Sequence, residues 1–189
     1  VLVDEKSTTR SRERWPQFSD GRRTWAYQSA LLVGAEPRTV GFGRLGLTIQ
    51  ANGGVPPGIY SFPYVYSGVP VDKSRVPDAV VVNMGTNDSR ASDEVFGPLY
   101  KAYAETIRKQ YPTAMIFCLR PFAGAHGEVI QKTVDAMRSA GDRLLRFVDT
   151  TGWIDPASHT TDRVHLNLEG NRIAAEKLAA ILRKELNIQ

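Results

Sequence analysis

Short apolar runs alternate with longer amphipathic segments along the second half of the chain, as in proteins whose parallel strands are connected by helices. Residues 79–84 and 114–119 are rich in β-branched and other apolar side chains, and they predict two strands buried on both faces. Residues 144–148 predict a third strand, and residues 38–42 predict a shorter and weaker one. We therefore expect an α/β fold built on a parallel sheet.

Amphipathic segments between these strands predict the helices. One helix should begin at Ser92 or Asp93 and end near Gln110. Its apolar side chains recur every four residues and are expected to face inward: Val95, Leu99, Tyr103 and Ile107. Further helices are predicted over residues 25–32, 129–140 and 168–186. The last of these should direct four aliphatic side chains inward: Ile173, Leu178, Ile181 and Leu182.

Composition and charge narrow the class of protein. The 189 residues are 42% hydrophobic and 23% charged, which fits one globular domain over residues 1–189. The net charge of +4 does not indicate a nucleic-acid partner, because neither a reading helix nor a stacking platform is predicted. Since no apolar run approaches the roughly 20 residues needed to span a bilayer, no membrane partner is expected either. Cys118 is the single cysteine, which excludes an internal disulfide, and the compartment is left open.

Three short polar patterns stand where an open α/β sheet binds ligands. Residues 43–48 (Gly-Arg-Leu-Gly-Leu-Thr) follow the weak strand, and residues 85–88 (Gly-Thr-Asn-Asp) follow the strand at 79–84. Residues 162–165 (Asp-Arg-Val-His) precede the last helix. Such groups can supply a closely approaching backbone N–H, an amide for an oxyanion, and a carboxylate that fixes an imidazole tautomer. Taken singly, each pattern also fits an ordinary turn or a structural histidine.

Together the three patterns resemble, in order and placement, the blocks of the SGNH hydrolase family, also called GDSL-like esterases and lipases. The resemblance implies that the Gly46 N–H and the Asn87 side chain donate to an oxyanion, that His165 is the general base, and that Asp162 orients it. After His165 the last block continues with Leu166 where the family usually has proline. The resemblance also implies a three-layer α/β/α sandwich with a flavodoxin-like sheet of strand order 2-1-3-4-5, and neither a metal nor an organic cofactor.

The nucleophile block departs from this family pattern. In the family, a first strand ends in Gly-Asp-Ser, and that serine is the nucleophile; no Gly-Asp-Ser occurs in the 189 residues. Four other serines fit neither the order nor the preceding strand: Ser7, Ser11, Ser19 and Ser29. Because the family's first strand is central, losing it would leave buried backbone groups unpaired at about 1–3 kcal/mol each. We therefore expect the first strand and its serine just upstream of Val1.

The resemblance implies hydrolysis of carboxylic esters through an acyl-enzyme. Residues 50–76 are rich in tyrosine and glycine and short of aliphatic residues, which favours short-chain esters. The family resemblance adds O-acetyl groups on carbohydrates as the preferred case. The aromatic side chains of this segment either border the substrate cleft or form a small satellite core. Two alternatives stay open for the function of the chain: an inactive binding domain on the same fold, and an acyltransferase with the same triad.

Three further side chains are weaker candidates. His126 follows the strand at 114–119 and either reaches the rim of the cleft or is a surface-loop histidine. His159 is interpreted as a loop residue. Trp153 either lines the substrate pocket or packs beneath the loop, and the sequence does not distinguish these two roles.

Overall fold

The computed structural model describes residues 20–66, 69–72 and 74–188, which form two compact units. The sheet unit comprises residues Val40–Thr150. The helix-pair unit comprises the described residues up to Thr39 and those from Thr151 onward. A single domain over residues 1–189 stays a prediction.

The helices and strands follow one another in an order close to the predicted one. They are α1 (Trp25–Leu32), α2 (Gly58–Ser61), β1 (Tyr64–Tyr66), β2 (Val69–Pro70), β3 (Ala79–Val82), α3 (Asp93–Gln110), β4 (Met115–Leu119), α4 (Gly127–Ser139), β5 (Leu145–Val148) and α5 (Leu168–Leu186). Within the described ranges, no helix combines the length and apolar character needed to cross a membrane.

The sheet unit is built on three parallel strands in the order β3-β4-β5. Ala79 pairs with Met115 and Ile116 with Leu145, so the three predicted strands at residues 79–84, 114–119 and 144–148 lie side by side in chain order. The five-stranded order 2-1-3-4-5 that the resemblance implies stays a prediction. Strand β4 is almost fully buried, whereas in β3 only Val82 is buried. The prediction that β3 is buried on both faces is therefore wrong for the described residues, because β3 pairs with a strand on one side only.

The weak strand predicted over residues 38–42 does not form. These residues pair with no strand of the described part of the chain, and the Val40 side chain is 64% exposed. A five-residue segment of moderate β-propensity does not make a strand without a neighbour that accepts its hydrogen bonds. The tyrosine- and glycine-rich segment over residues 50–76 contains α2 and the short antiparallel β1–β2 pair.

The core of the sheet unit lies between the sheet and helices α3 and α4. The buried residues of α3 are Phe96, Gly97, Tyr100, Tyr103, Ala104 and Ile107. Val95 is 54% exposed, so the predicted inward stripe is wrong at this end, where Phe96 takes the buried position. Phe62 packs edge-on against Tyr103, with ring centroids 5.6 Å apart. Phe62 therefore packs against the main core of the sheet unit, so for this residue the small satellite core does not form.

The helix-pair unit consists of α1 packed on α5. Asn171 connects them, since its side-chain oxygen accepts a hydrogen bond from the Trp25 N–H at 2.8 Å. The buried face of α5 uses small residues and two leucines: Gly170, Asn171, Ala174, Ala175, Leu178, Ala179 and Leu182. Ile173 and Ile181 are only half-buried, contrary to the inward positions predicted for them. The small side chains allow the two helices to pack closely.

Candidate active site

Asp162 and His165 form a close pair on the loop before α5. The Asp162 Oδ2 lies 2.8 Å from the His165 Nδ1, and the Asp162 Oδ1 accepts the backbone N–H of His165 at 2.8 Å. A third hydrogen bond comes from the Val164 N–H at 3.1 Å. The carboxylate therefore holds both the main chain and the ring of the same histidine, as the sequence predicts for an orienting acid.

This geometry selects one tautomer of His165. Because Asp162 is an acceptor, Nδ1 carries the proton and Nε2 keeps a free lone pair. The imidazole is 56% exposed, so Nε2 is open to a reacting group. Partial burial raises the pKa of Asp162, but the hydrogen bonds and charge of His165, with the Val164 N–H, together lower that pKa below the usual value. Asp162 is thus a carboxylate at neutral pH.

The loop that carries the pair is fixed at both ends. Arg163 takes a left-handed conformation (φ 68°), which turns the chain tightly enough for Asp162 to reach back to His165. The Thr161 N–H donates to the His165 carbonyl at 2.8 Å. Asn167 caps α5 by accepting the Gly170 N–H at 2.9 Å. Asp162 and His165 therefore lie on a hydrogen-bonded turn directly before α5.

In the sheet unit, Asp88 connects two of the predicted blocks. Its buried carboxylate accepts the Leu47 N–H at 2.9 Å, and the N–H and the hydroxyl of Thr48, each at 2.7 Å. Asp88 itself is 1% exposed. Residues 43–48 are thus held against residues 85–88 by the Asp88 side chain.

The two predicted oxyanion donors, Gly46 and Asn87, lie on either side of this connection. Asn87 donates its side-chain amide to the Leu45 carbonyl at 2.9 Å, which fixes the amide and leaves its second N–H proton available. Gly46 is buried, and a Cβ built there would lie 2.6 Å from Asp88 Oδ1. Only glycine fits this approach. Among the hydrogen bonds of the described residues, none uses the Gly46 N–H.

A cavity of about 430 Å³ opens beside Asn87 in the sheet unit. Its wall includes Asn87 and Thr48 together with the side chains of Arg44 and Arg90. Across the described ranges, no group of three or more His, Cys, Asp and Glu side chains is arranged to hold a metal ion. The arrangement offers hydrogen-bond donors and positive charge, which suit a developing oxyanion.

The structure places the four predicted site residues in two sets. Asp162 and His165 lie together in the helix-pair unit, and Gly46 and Asn87 lie together in the sheet unit. The assembly of both sets into one site stays a prediction. Ser7, Ser11 and Ser19 fall outside the described residues. Ser29 is a buried residue of α1 whose hydroxyl donates to the Ala26 carbonyl.

The weaker candidates have structural roles. His159 is a loop residue, as predicted, and its Nδ1 accepts the Asp155 N–H at 3.0 Å. Trp153 lies under Lys177 of α5, whose Nζ is 6.0 Å from the ring centroid. Of the two alternatives for His126, the surface-loop histidine is wrong: its side chain is only 5% exposed and its Nδ1 lies 2.6 Å from Asp93 Oδ1. Sequence gives no signal for that pairing, because 33 positions separate the two residues.

Known proteins resemble the chain over most of its length. It is 28% identical over 194 residues to the cellulase/esterase CelE of Acetivibrio thermocellus, covering 96% of this chain and 24% of that protein. It matches a family two carbohydrate esterase from Clostridium thermocellum, solved in complex with cellohexaose, at 27% identity and a TM-score of 0.79. That match covers 92% of this chain and 57% of the solved one, so the chain spans only part of these relatives.

More distant structures support the fold alone. An acetyl xylan esterase from Butyrivibrio proteoclasticus matches at 18% identity and a TM-score of 0.75, covering 92% of this chain and 58% of the other. These neighbours and the parallel sheet confirm the predicted α/β fold, consistent with the three-layer α/β/α sandwich of the SGNH hydrolases. The sequence model of the GDSL-like Lipase/Acylhydrolase family matches residues 7–178. The chain therefore belongs to the GDSL-like lipase/acylhydrolase family, as its three polar blocks predict.

Proposed function

We propose that this chain supplies the general base, its orienting acid and two oxyanion donors of a serine esterase that acts on short-chain esters. The observation that carries the proposal is the Asp162–His165 pair. Two hydrogen bonds of 2.8 Å, one to the ring and one to the main chain, hold an exposed imidazole with Nε2 free. This is the arrangement that a serine nucleophile needs from its base.

The reaction then follows the usual course of acyl transfer. A serine hydroxyl attacks the ester carbonyl while His165 Nε2 takes its proton, and the same proton passes to the departing alcohol. Water repeats the attack on the acyl-serine, so that one ester and one water give one acid and one alcohol. Asp162 keeps His165 in the productive tautomer and stabilises the imidazolium that forms in each step.

Gly46 and Asn87 are proposed as two donors to the oxyanion. The Asn87 amide is already oriented by the Leu45 carbonyl, which leaves one N–H for substrate. Asp88 fixes the loop that carries Gly46 before substrate binds. Preorganised donors of this kind are worth about 3–4 kcal/mol each in the transition state. The remaining donor would be the N–H of the nucleophilic serine.

The nucleophile is proposed to lie upstream of Val1, at the end of a strand that carries Gly-Asp-Ser. The 189 residues contain no such block, although the three other blocks of the family are present in order. The relatives are consistent with a longer protein, because the chain spans 24% of the cellulase/esterase and 57% of the solved carbohydrate esterase.

Carbohydrate esters, sugar acetates above all, are the proposed substrates. The relatives at 27–28% identity are named as a cellulase/esterase and a carbohydrate esterase, the latter solved with cellohexaose. In this chain the Tyr60 side chain is 66% exposed within the tyrosine-rich segment, and such faces suit sugar rings. The preferred acyl chain length is measured by comparing acetyl, butyryl and longer esters of the same alcohol, and the preferred alcohol by comparing acetates of different alcohols.

The decisive experiment is intact mass spectrometry of the complete natural protein before and after a fluorophosphonate probe. One added probe mass, mapped to a Gly-Asp-Ser serine, is expected for the wild type. The His165→Ala variant is the matched control, because it keeps the serine and removes the base. It should take no probe, and its kcat should fall at least about a thousandfold. If the wild type takes no probe, the esterase proposal fails, and an inactive binding domain on the same fold takes its place.

Kinetics of Asn87→Ala separate transition-state from ground-state roles. The variant should lower kcat about a hundredfold with little change in KM, because the lost hydrogen bond forms only with the oxyanion. A rise in KM at constant kcat would assign Asn87 to substrate binding instead. Product analysis with added acceptor sugars distinguishes hydrolysis from acyl transfer by the same triad.

A further inference from the structure

His126 is a buried histidine at the start of α4 that the proposed reaction does not use. Its Nδ1 lies 2.6 Å from Asp93 Oδ1, and its Nε2 lies 2.9 Å from the backbone carbonyl oxygen of Asp88. The ring stacks on Phe96 with centroids 4.0 Å apart and an interplanar angle of 10°. The side chain is 5% exposed, so these contacts fill nearly all of its surroundings.

Both ring nitrogens of His126 face acceptors. A backbone carbonyl has no proton to give, and neither has the carboxylate of Asp93. The two hydrogen bonds form together only when the ring carries both protons and is an imidazolium. Asp93 compensates that charge, and its own position in the first turn of α3 is favourable for a carboxylate. The geometry therefore describes a charged clamp between α3, α4 and the turn that ends at Asp88.

That turn is the one that carries Asn87. Residues Thr86–Asp88 form a single helical turn, and Asp88 is held from two directions. Its side chain accepts from Leu47 and Thr48, whereas its carbonyl oxygen faces His126. His126 thus contacts the carbonyl of Asp88, the residue that follows Asn87, while the loop at residues 43–48 holds the Asp88 side chain. The same carbonyl oxygen also accepts the Ala91 N–H at 2.8 Å, so His126 adds a side-chain contact to a backbone one at this turn.

We infer that His126 is a positioning residue for the oxyanion site: as an imidazolium bonded to Asp93 and to the Asp88 carbonyl, it fixes the turn that presents Asn87. The inference rests on the proposed function of Asn87 as an oxyanion donor. It adds the residue that precedes α4, and its contact with Asp93 of α3, to the loops that carry Gly46 and Asn87.

The first test is spectroscopic and does not depend on turnover. The complete protein is labelled with ¹⁵N-histidine, and the His126 ring signals are assigned by comparison with His126→Gln. Two protonated ring nitrogens at neutral pH are expected. A ring with one N–H and one bare nitrogen would overturn the inference. In His126→Gln, the backbone amide signals of residues 85–89 should shift, whereas unchanged signals there would also overturn it.

The second test is kinetic. His126→Gln should lower kcat about tenfold to a hundredfold with KM constant within about twofold, because a misplaced oxyanion donor weakens the transition state only. Asp93→Asn keeps an acceptor oxygen and should lose less than Asp93→Ala. The matched control is Arg138→Met, which removes a side-chain bond of 2.6 Å to the Leu145 carbonyl at the far end of α4. Equal kcat losses in His126→Gln and Arg138→Met would refute a positioning role.

A double variant separates this inference from the proposed function. Once Asn87 is replaced by Ala, the turn presents no donor, so adding His126→Gln should cost little further kcat. If the kcat loss of the double variant equals the product of the two single losses, His126 acts elsewhere and the inference is overturned. If Asn87→Ala alone leaves kcat unchanged, the oxyanion role of Asn87 fails. The kinetic positioning role of His126 then fails with it, and the ring spectrum still decides whether the clamp exists.

Discussion

Asp88 binds Thr48 twice through one oxygen atom: the backbone N–H and the hydroxyl of Thr48 both donate to Oδ1 at 2.7 Å. The two residues are 40 positions apart, so this contact closes a long loop and brings residues 43–48 against residues 85–88. It joins two turns that are separate in sequence and so holds the proposed donors, Gly46 and Asn87, in fixed positions. The first two predictions concern this contact.

Replacing Asp88 by alanine should strongly destabilise the protein. Three donors on Leu47 and Thr48 would lose their buried acceptor, at about 1–3 kcal/mol for each group left unsatisfied. We expect a loss of about 3 kcal/mol or more in the free energy of unfolding, measured by urea denaturation. Asp78→Ala is the control, because Asp78 is an exposed carboxylate at the start of the neighbouring strand. Equal stability of the two variants would show that the contact contributes little.

Gly46→Ala should impair turnover. The added Cβ would lie 2.6 Å from Asp88 Oδ1 and 2.8 Å from Ile49 Cγ1, so the loop must move. Displacing one oxyanion donor should lower kcat about a hundredfold. Gly41→Ala is the matched control, since a Cβ at Gly41 meets no atom within 4 Å. Full activity of Gly46→Ala would exclude the Gly46 N–H from the oxyanion site.

The Asp162–His165 pair should make stability depend on pH in the acid range. The folded pKa of Asp162 is lowered, so the stabilisation is fully present above the unfolded aspartate pKa of about 3.9. It is lost as the pH falls below that value and through the lower folded pKa. Urea unfolding of wild type and Asp162→Asn from pH 7 to pH 2.5 measures it. The stability difference between them should shrink toward low pH, and a difference independent of pH would contradict the linkage.

Cys118 should be inert in the folded protein. Burial raises the pKa of its thiol to about 12, so almost no thiolate exists at neutral pH, and no reagent reaches it within strand β4. We expect no reaction with a maleimide at pH 7 until the protein is unfolded in urea. Labelling should then follow the unfolding curve. Fast labelling of the native protein would indicate that β4 opens locally.

The sequence was most informative where the interacting residues are close along the chain. Asp162 and His165 are three positions apart, and helix α5 forms over the predicted residues 168–186. The weak strand at 38–42 failed because a strand depends on a partner that local propensity cannot identify. The burial of His126 was missed for the same reason: its partners, Asp93 and the Asp88 carbonyl, come from segments more than 30 residues away.

The contact between Gly170 and His159 limits where this protein can change in length. A Cβ on Gly170 would lie 2.2 Å from the His159 carbonyl oxygen, and that oxygen also accepts the Asn167 N–H. The close contact between His159 and Gly170 therefore fixes the length of the segment between them, which spans eleven positions. Inserting or deleting a residue within it would displace the dyad, so natural or engineered length variation should be confined to segments such as residues 50–76.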